Sequence, residues 1–425
     1  MERYNEYKDS GIQWLGEIPS HWGLRRTKYV WQETDNRSEF GSEQLLSVSQ
    51  YDGVREAQSD SRSESLKGYK IVKQDELVIN IMLAWLGGLG VSKHEGIVSP
   101  AYCVYKLQDA QNPRFLHYLY RTPIYLAEFA RHSTGIVPSR WRMYTDDFGE
   151  ILTLLPPIEE QNAMVAYLDT ATAKIDAAIA QQQKMIDLLN ERKQIIINNA
   201  VTKGLNPNVK MKDSGVDWIG EIPEHWNEIK LKYVFSRIAD GTHFSPETIE
   251  DGMPYITATD VRGKCIDFSE TKKISQKDYE ALVTAGCKPQ LNDILLVKDG
   301  ATTGRVGLMT DNTNCVTLSS VAMLTPQEKH SHLYLMYMMM SDFMQKQILL
   351  SMAGAAMPRI TLVKLSNFIG VIPPTEEQES IATYIEEACT PIDNAIINAT
   401  KQISLLQERK QIIINEVVTG KVKVS

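Results

Sequence analysis

The chain has 425 residues, 43% of them hydrophobic and 23% charged, with a formal net charge of -8. That length accommodates two or three domains with separate cores, and the composition is that of a globular chain, neither disordered nor fibrous. There is no apolar run of about 18 residues, no cleavable leader in the opening MERYNEYKDSG, and no CxxC spacing among five cysteines, so a membrane span, secretion, structural zinc and a disulfide framework are not expected.

In chain order, the first feature is KDSGIQWLGEIPSHW at 8–22, which returns as KDSGVDWIGEIPEHW at 212–226, a shift of 204. Each copy is followed by a Lys-Tyr-Val (Lys28, Tyr29, Val30 and Lys232, Tyr233, Val234). Strands are predicted at 45–49, 76–83 and 96–107, with a glycine-rich irregular stretch, AWLGGLGVSKHEG, before the last of them. A helix is expected over PRFLHYLYRTPIYLAEFARHS, broken at Pro123. The second variable region repeats the plan, with strands at 254–261, 293–298, 306–310 and 315–325, a glycine loop DGATTGRVG at 299–307 and a helix at 332–350.

Each region is followed by a second duplicated stretch, 155–204 and 372–421, aligned without a gap at a shift of 217 and sharing PP, EEQ, ERKQIIIN and VT. The apolar spacing within it is a heptad. It runs through Leu168, Ile175, Ile179, Ile186, Leu189 and Ile196 in one copy and Ile385, Ile392, Ile396, Ile403, Leu406 and Ile413 in the other. Acidic residues after Pro156-Pro157 and Pro373-Pro374 suit helix starts, Thr375 with Gln378 can form a capping box, and Gly204 and Gly420 sit where a left-handed residue would end each helix. A helix of about 45 residues is roughly 67 Å long. Two such helices with matching seams most simply pack together and act as a spacer. The chain therefore reads as a tandem duplication of leader, variable region and long helix, whose two variable modules recognise different things.

No catalytic centre emerges. GGLGVSK and GATTGRVG lack GxxxxGK[ST] and lie between strands. Asn206-Pro207-Asn208 lacks the second proline and the aromatic residue of an amino-methyltransferase loop, and His330 with His332 lacks a third ligand. His21 and His225, beside Trp22 and Trp226, fit a packing role in a repeated turn. Binding signals are stronger. Residues 23–150 carry 16 basic and 16 acidic side chains and 227–370 carry 15 of each, so the acidic excess lies outside the variable regions. Residues 111–143 hold Arg114, Arg121, Arg131, Arg140 and Arg142 against Glu128 alone, interleaved with aromatics; such a local basic face can hold phosphates. Glycine loops bearing Lys93 and His94, or Thr302, Thr303 and Arg305 beside Lys298, can approach a groove closely, where lysine and arginine meet phosphates or guanine and threonine reads base edges. Arg142 aligns with Arg359 at the shift of 217. Plain surface turns, and cation–aromatic contacts inside a domain, account for the same residues equally simply.

The leader W(L/I)GEIPxHW, the two variable regions and the two PPxEEQ helices ending in ERKQIIIN resemble the specificity subunit of type I restriction-modification systems, over essentially the whole chain. The resemblance implies an α+β fold: two mixed α/β target-recognition domains separated by two long antiparallel coiled-coil helices, as a pseudo-twofold tandem repeat. The domains would be 1–155 and 205–372, and the helical spacers 156–204 and 373–421. It implies a chain without catalytic residues, metal or cofactor of its own. Its partners would be double-stranded DNA, two modification (methyltransferase) subunits and the restriction (motor and nuclease) subunits, with S-adenosylmethionine, ATP and Mg2+ on those partners, in the cytoplasm of a bacterium or archaeon. DGTHFSPETIEDGMPYITATDVRGK at 240–264 and LGVSKHEGIVSPAY are similar to recurrent recognition-domain segments and nominate Thr242, His243 and Thr259, and Trp85, Lys93 and His94, as DNA contacts. A protein-binding coiled-coil scaffold with two adaptor domains, and the recognition part of a nuclease, remain alternatives from the residues alone.

Overall fold

The computed structural model describes residues 2–51, 53–57, 65–137, 141–352 and 359–424. Its helices, in chain order, are α1 (Pro113–Tyr120), α2 (Pro123–Arg131), α3 (Thr145–Glu150), α4 (Ile158–Lys203), α5 (Gln276–Thr284), α6 (His332–Met340), α7 (Asp342–Ser351), α8 (Leu362–Ser366) and α9 (Thr375–Val418). The duplicated stretches are the two long helices α4 and α9, of 46 and 44 residues.

The motif at the head of each long helix has a clear local job. Gln161 Nε2 donates to the Pro156 carbonyl and Gln378 Nε2 to the Pro373 carbonyl, both at 2.8 Å, so the glutamine of EEQ satisfies an acceptor of the entering strand. The expected Thr375–Gln378 capping box does not form. Thr375 Oγ1 donates instead to the Lys329 carbonyl and Gln378 Oε1 accepts from the Ser331 amide, because the segment before α6 lies close enough to outcompete the local bond. At the far ends Gly204 and Gly420 adopt φ of 71° and 76°, the left-handed conformation that suits glycine.

The chain divides into two compact units, one of residues 1–183 with 401–425 and one of residues 184–400. In the first, the leader forms a hairpin, Tyr7–Asp9 against Glu17–Pro19, and strand Gly23–Arg26 pairs with Leu152–Leu155. A four-stranded antiparallel sheet follows in the order Trp31–Thr34, Tyr102–Leu107, Leu77–Asn80, Leu89–Val91. Its core gathers Trp31, Leu77, Ile79, Phe115, Tyr120 and Phe148 with Met164 and Leu168 near the start of α4 and Ile414, Val417 and Val418 near the end of α9. Start meets end, so these two helix segments are antiparallel, and Lys410 reaches back to Asp176 at 2.6 Å.

The second unit has the same plan. Its hairpin is Met211–Asp213 with Glu221–Pro223, and Asn227–Lys230 pairs with Ile369–Ile372. The strands Phe235–Asp240, Val321–Pro326, Ile294–Val297 and Val306–Leu308 lie in the same order as their counterparts, extended to six by Cys265–Ile266 and Val261–Arg262. Its core joins Ile197, Ala200 and Val201 of α4 to Ile381, Ala382, Ile385 and Cys389 of α9. Of the predicted heptad positions, Leu168, Ile175, Ile385 and Ile392 are buried, and Ile179, Ile186, Leu189, Ile196, Ile396, Ile403, Leu406 and Ile413 are partly covered. The helix expected over 332–350 is interrupted at Ser341, whose extended backbone (φ -69°, ψ 154°) separates α6 from α7.

Each leader tryptophan is a wedge between helix termini of its own unit. Trp22 Nε1 donates to Glu160 Oε2 at 3.0 Å, with His21 Nε2 on the other oxygen at 2.6 Å. Trp226 Nε1 and His225 Nε2 meet Glu377 Oε2 at 3.0 and 2.8 Å. The opposite helix end closes the pocket, since a Cβ on Gly420 would lie 2.9 Å from the Trp22 ring and one on Gly204 3.1 Å from Trp226. An indole buried this fully removes roughly 200 Å² from water, at most about 5 kcal/mol at about 25 cal/mol per Å².

Candidate nucleic-acid interface

The two glycine loops are the same backbone structure carrying different side chains. In the first module strand Leu77–Asn80 turns into strand Leu89–Val91, with the Asn80 amide bonded to the Gly88 carbonyl at 2.9 Å. In the second, Ile294–Val297 turns into Val306–Leu308, with Val297 bonded to Arg305 at 2.8 Å. Gly87 and Gly304 both have positive φ, 89° and 97°. A later segment is stitched beside each loop: Met143 N donates to Ile81 O at 2.9 Å and Ile360 N to Lys298 O at 2.8 Å. All four relations match at the shift of 217, so Arg142 and Arg359 stand at equivalent places.

Around the first loop the chemistry is aromatic and sulfur-rich. Trp85 is half-buried and edge-on to Trp141, with ring centroids 5.3 Å apart, and its Nε1 has no hydrogen-bond partner among the described residues. Arg142 Nη2 lies 3.8 Å from Met82 Sδ. Arg140 lies outside the described residues. Lys93 and His94 are not brought to this loop. They follow strand Leu89–Val91 at its opposite end, where His94 Nδ1 is 3.7 Å from Glu56 Oε1.

The arginine-rich run at 111–143 is not the open basic face that its composition suggests. Arg114 bonds Asp169 of α4 at 2.6 Å. Arg121 donates to the carbonyls of Gly87, Leu89, Gln50 and Tyr51, and so braces the glycine loop from below. Arg131 makes a two-pronged bond to Glu128, at 2.8 and 2.6 Å. Burial works to raise the Glu128 carboxyl, but Arg131 and His132 hold it below its usual range. These partners lie too far away in sequence, or too evenly mixed with the basic residues, to be read from composition. His117 is also internal. Its Nδ1 accepts the Val91 N–H at 3.2 Å, and burial, then Arg121, Arg114 and Lys93, push it down to about 3.

In the second module the candidates do converge. Thr242 is buried, bridged to Leu318, and its Oγ1 accepts the Phe244 amide at 3.0 Å, which leaves the neighbouring His243 exposed. Thr259 is exposed with its hydroxyl 2.8 Å from that of Thr257, on a turn entered from Ile256, whose carbonyl accepts from Leu318. Thr303 Oγ1 closes its own loop onto Gly300 O at 2.7 Å, Thr302 O accepts the Arg305 amide at 3.1 Å, and Arg305 is exposed. Arg359 pairs with Asp299 through backbone and side chain. Lys298 departs from expectation: it is only 2% exposed and its ammonium is taken up by Asp240 and Asp299. Strand alternation alone would have placed it inward; its charge made it look like a surface residue.

Hydrogen-bond donors, hydroxyls and an exposed guanidinium on glycine loops are suited to reading base edges and phosphates. Among the described residues no group of three or more His, Cys, Asp or Glu can hold a metal ion, and no helix is long and apolar enough to cross a membrane.

Residues 223–405, which include the whole converging cluster of the second module, match the family described as Methylase_S, the type I restriction modification DNA specificity domain. Over 288 residues the chain is 30% identical to the type I restriction enzyme MjaVIII specificity subunit of Methanocaldococcus jannaschii, covering 65% of this chain and 63% of that one. Over 318 residues it is 26% identical to the EcoBI specificity subunit of Escherichia coli, covering 71% and 64%. The chain is similar to type I restriction-modification specificity subunits, through the family match over residues 223–405 and these two relatives. It thus spans just under two thirds of the length of these two specificity subunits. A similar fold is found in a chain solved in a study of complex assembly and conformational transition of the type I R-M system, with a TM-score of 0.63 at 16% identity, covering 95% of this chain and 99% of that one.

Proposed function

We propose that this chain is the sequence-specific DNA-recognition subunit of a type I restriction-modification complex and is itself non-catalytic. The observation that carries this reading is the pair of glycine loops: one backbone scaffold, with Trp85, Met82 and Arg142 on one copy and Thr302, Asp299 and Arg359 on the other. A fold that keeps the frame and the arginine, while Met82 and Trp85 give way to Asp299 and Thr302, is suited to reading two different half-sites of a bipartite sequence. The modules 1–155 and 205–372 act as target-recognition domains, and the helical segments 156–204 and 373–421 are the pseudo-twofold spacers that set the gap between half-sites. The DNA contacts in this reading are Trp85, Arg140, Arg142, Thr242, His243, Thr259, Thr302, Thr303, Arg305 and Arg359. Lys93 and His94, beyond the far end of strand Leu89–Val91, and Arg131, which pairs with Glu128, would serve in this reading as outlying phosphate contacts.

The partners follow from chemistry the chain does not itself carry. Both long helices expose apolar residues one heptad apart and off the seam, Leu188 and Ile195 on α4 and Leu405 and Ile412 on α9, again matched at 217. Such duplicated stripes suit two copies of one modification subunit. Those subunits supply S-adenosylmethionine and methyl transfer to a flipped base; the restriction subunits supply ATP, Mg2+, movement and cleavage. A complex acting on cellular DNA works in the cytoplasm.

Sequencing the methylated bases in a host carrying this chain and its modification subunit tests the reading. A split motif, lost when this chain is omitted and bound in a salt-sensitive way by the purified complex, is expected. Methylation with no sequence preference, or a motif unaffected by omission, would overturn it.

A further inference from the structure

The converging cluster of the second module is built on one buried cation. Lys298 Nζ lies 3.3 Å from Asp240 Oδ2 and 3.1 Å from Asp299 Oδ2. Each of these carboxylates, about a fifth exposed, also faces a cation at the surface. His243 Nε2 is 3.5 Å from Asp240 Oδ2, and Arg359 Nε is 3.4 Å from Asp299 Oδ1. The result is a row running His243, Asp240, Lys298, Asp299, Arg359, buried at its centre and open at both ends, where the His243 and Arg359 side chains are 66% and 58% exposed.

Distances along the row are informative. A full charge-assisted hydrogen bond is about 2.7–2.9 Å, whereas the two outer contacts are looser, and Asp299 Oδ1 has no hydrogen-bond partner among the described residues. A buried ammonium needs paired carboxylates, and in meeting that need Lys298 occupies Asp240 and Asp299 from within. Both carboxylates are thereby kept from drawing His243 and Arg359 fully down onto themselves.

The fold does not require a charge here. The matched residue in the first module is Ile81, with Met82 in place of Asp299, and its carbonyl accepts the same backbone bond, from Met143. The lysine therefore serves what the loops present, not how the loop is closed.

We propose that Lys298 is a specificity-determining positioning residue of the second module, holding Asp240 and Asp299 so that His243 and Arg359 are presented to the bases and phosphates of one half-site. The inference rests on the DNA-recognition reading above. Its test uses the full complex of this chain with its modification subunit, scored on duplexes carrying single-base changes in either half-site. Lys298→Met should cut discrimination against changes in the second module's half-site by about tenfold, the scale of one base contact, while discrimination in the other half stays unchanged; Lys298→Arg should restore part of it. Should Lys298→Met fail to fold for want of charge balance, the combination Lys298→Met, Asp240→Asn, Asp299→Asn removes the whole buried charge set and should fold yet show the same one-sided loss. Unchanged discrimination in the triple variant, or equal loss in both halves, overturns the proposal while leaving the recognition function standing. Absence of sequence preference in the parent complex removes the function and the proposal together.

Discussion

Lys193 on α4 donates to Asp393 on α9 at 2.5 Å, and the residues 217 positions away from each form the second pair, Lys410 with Asp176. Lysine in an otherwise apolar seam is costly unless answered, so each pair fixes direction and register where hydrophobic burial alone would tolerate a slip. The Lys193 pair is the less exposed, and Lys264 lies 3.4 Å from the same Asp393. Lys193→Asp should therefore destabilise by about 1–3 kcal/mol and Lys410→Asp by under about 1 kcal/mol. Adding Asp176→Lys should fully repair the second, whereas Asp393→Lys should repair the first only partly because Lys264 then faces a like charge. Denaturant titration of the four variants checks the order.

The tryptophan wedges make a matched pair of tests. Glu160→Ala leaves the Trp22 indole N–H and the Tyr4 hydroxyl without their acceptor, and Glu377→Ala does the same to Trp226. Each should cost about 1–3 kcal/mol, with glutamine milder than alanine because it retains an acceptor. Calorimetry showing no loss for either alanine would mean the leader does not lock the helix start.

His117 gives a pH dependence with a definite sign. In the unfolded chain it takes up a proton near 6.5, but in the folded chain only near 3. Its contribution is thus fully present above pH 6.5 and is lost as pH falls toward 3, by up to about 1.4 kcal/mol per unit. Between pH 7 and pH 5 the parent should lose about 2 kcal/mol more than His117→Gln, read from denaturant midpoints at the two values. An identical pH slope for the two proteins would contradict the burial.

Arg142 tests the first module alone. Arg142→Ala should weaken or relax reading of one half-site by about 1–3 kcal/mol, the worth of one good bidentate pair to a base, with the motif in the other half unchanged in host methylation profiles. Loss in both halves would assign Arg142 to structure.

Much of this architecture was legible because it is written twice. The heptads, the terminal glycines and the strand runs are local patterns; burial follows the run 293–298 closely, and in 76–83 it covers Leu77–Asn80 but leaves Met82 and Leu83 exposed. Pro391 lies inside α9, where a proline ordinarily costs about 3 kcal/mol; the repeat, not the propensity, was the better guide there. The short leader hairpins, three residues to a strand, and α5, whose Ser275 cap accepts from Asp278 N, carry too little periodicity to be found. What the sequence did not reveal is how its charges are spent. Arg114, Arg121, Arg131 and Lys298 were conspicuous as charges, and each is spent on a carboxylate or carbonyl that only the folded chain brings near.

The two units differ in when they can be completed during synthesis. Residues 184–400 are one contiguous span, ready to collapse as soon as α9 has begun to leave the ribosome. The unit begun by residues 2–183 waits longer, with Met164 and Leu168 uncovered until Ile414, Val417 and Val418 arrive. A chain halted after residue 400 has emerged but before Ile414 has done so would thus carry one finished module and one with a raw apolar flank, the species on which chaperones would be expected to act.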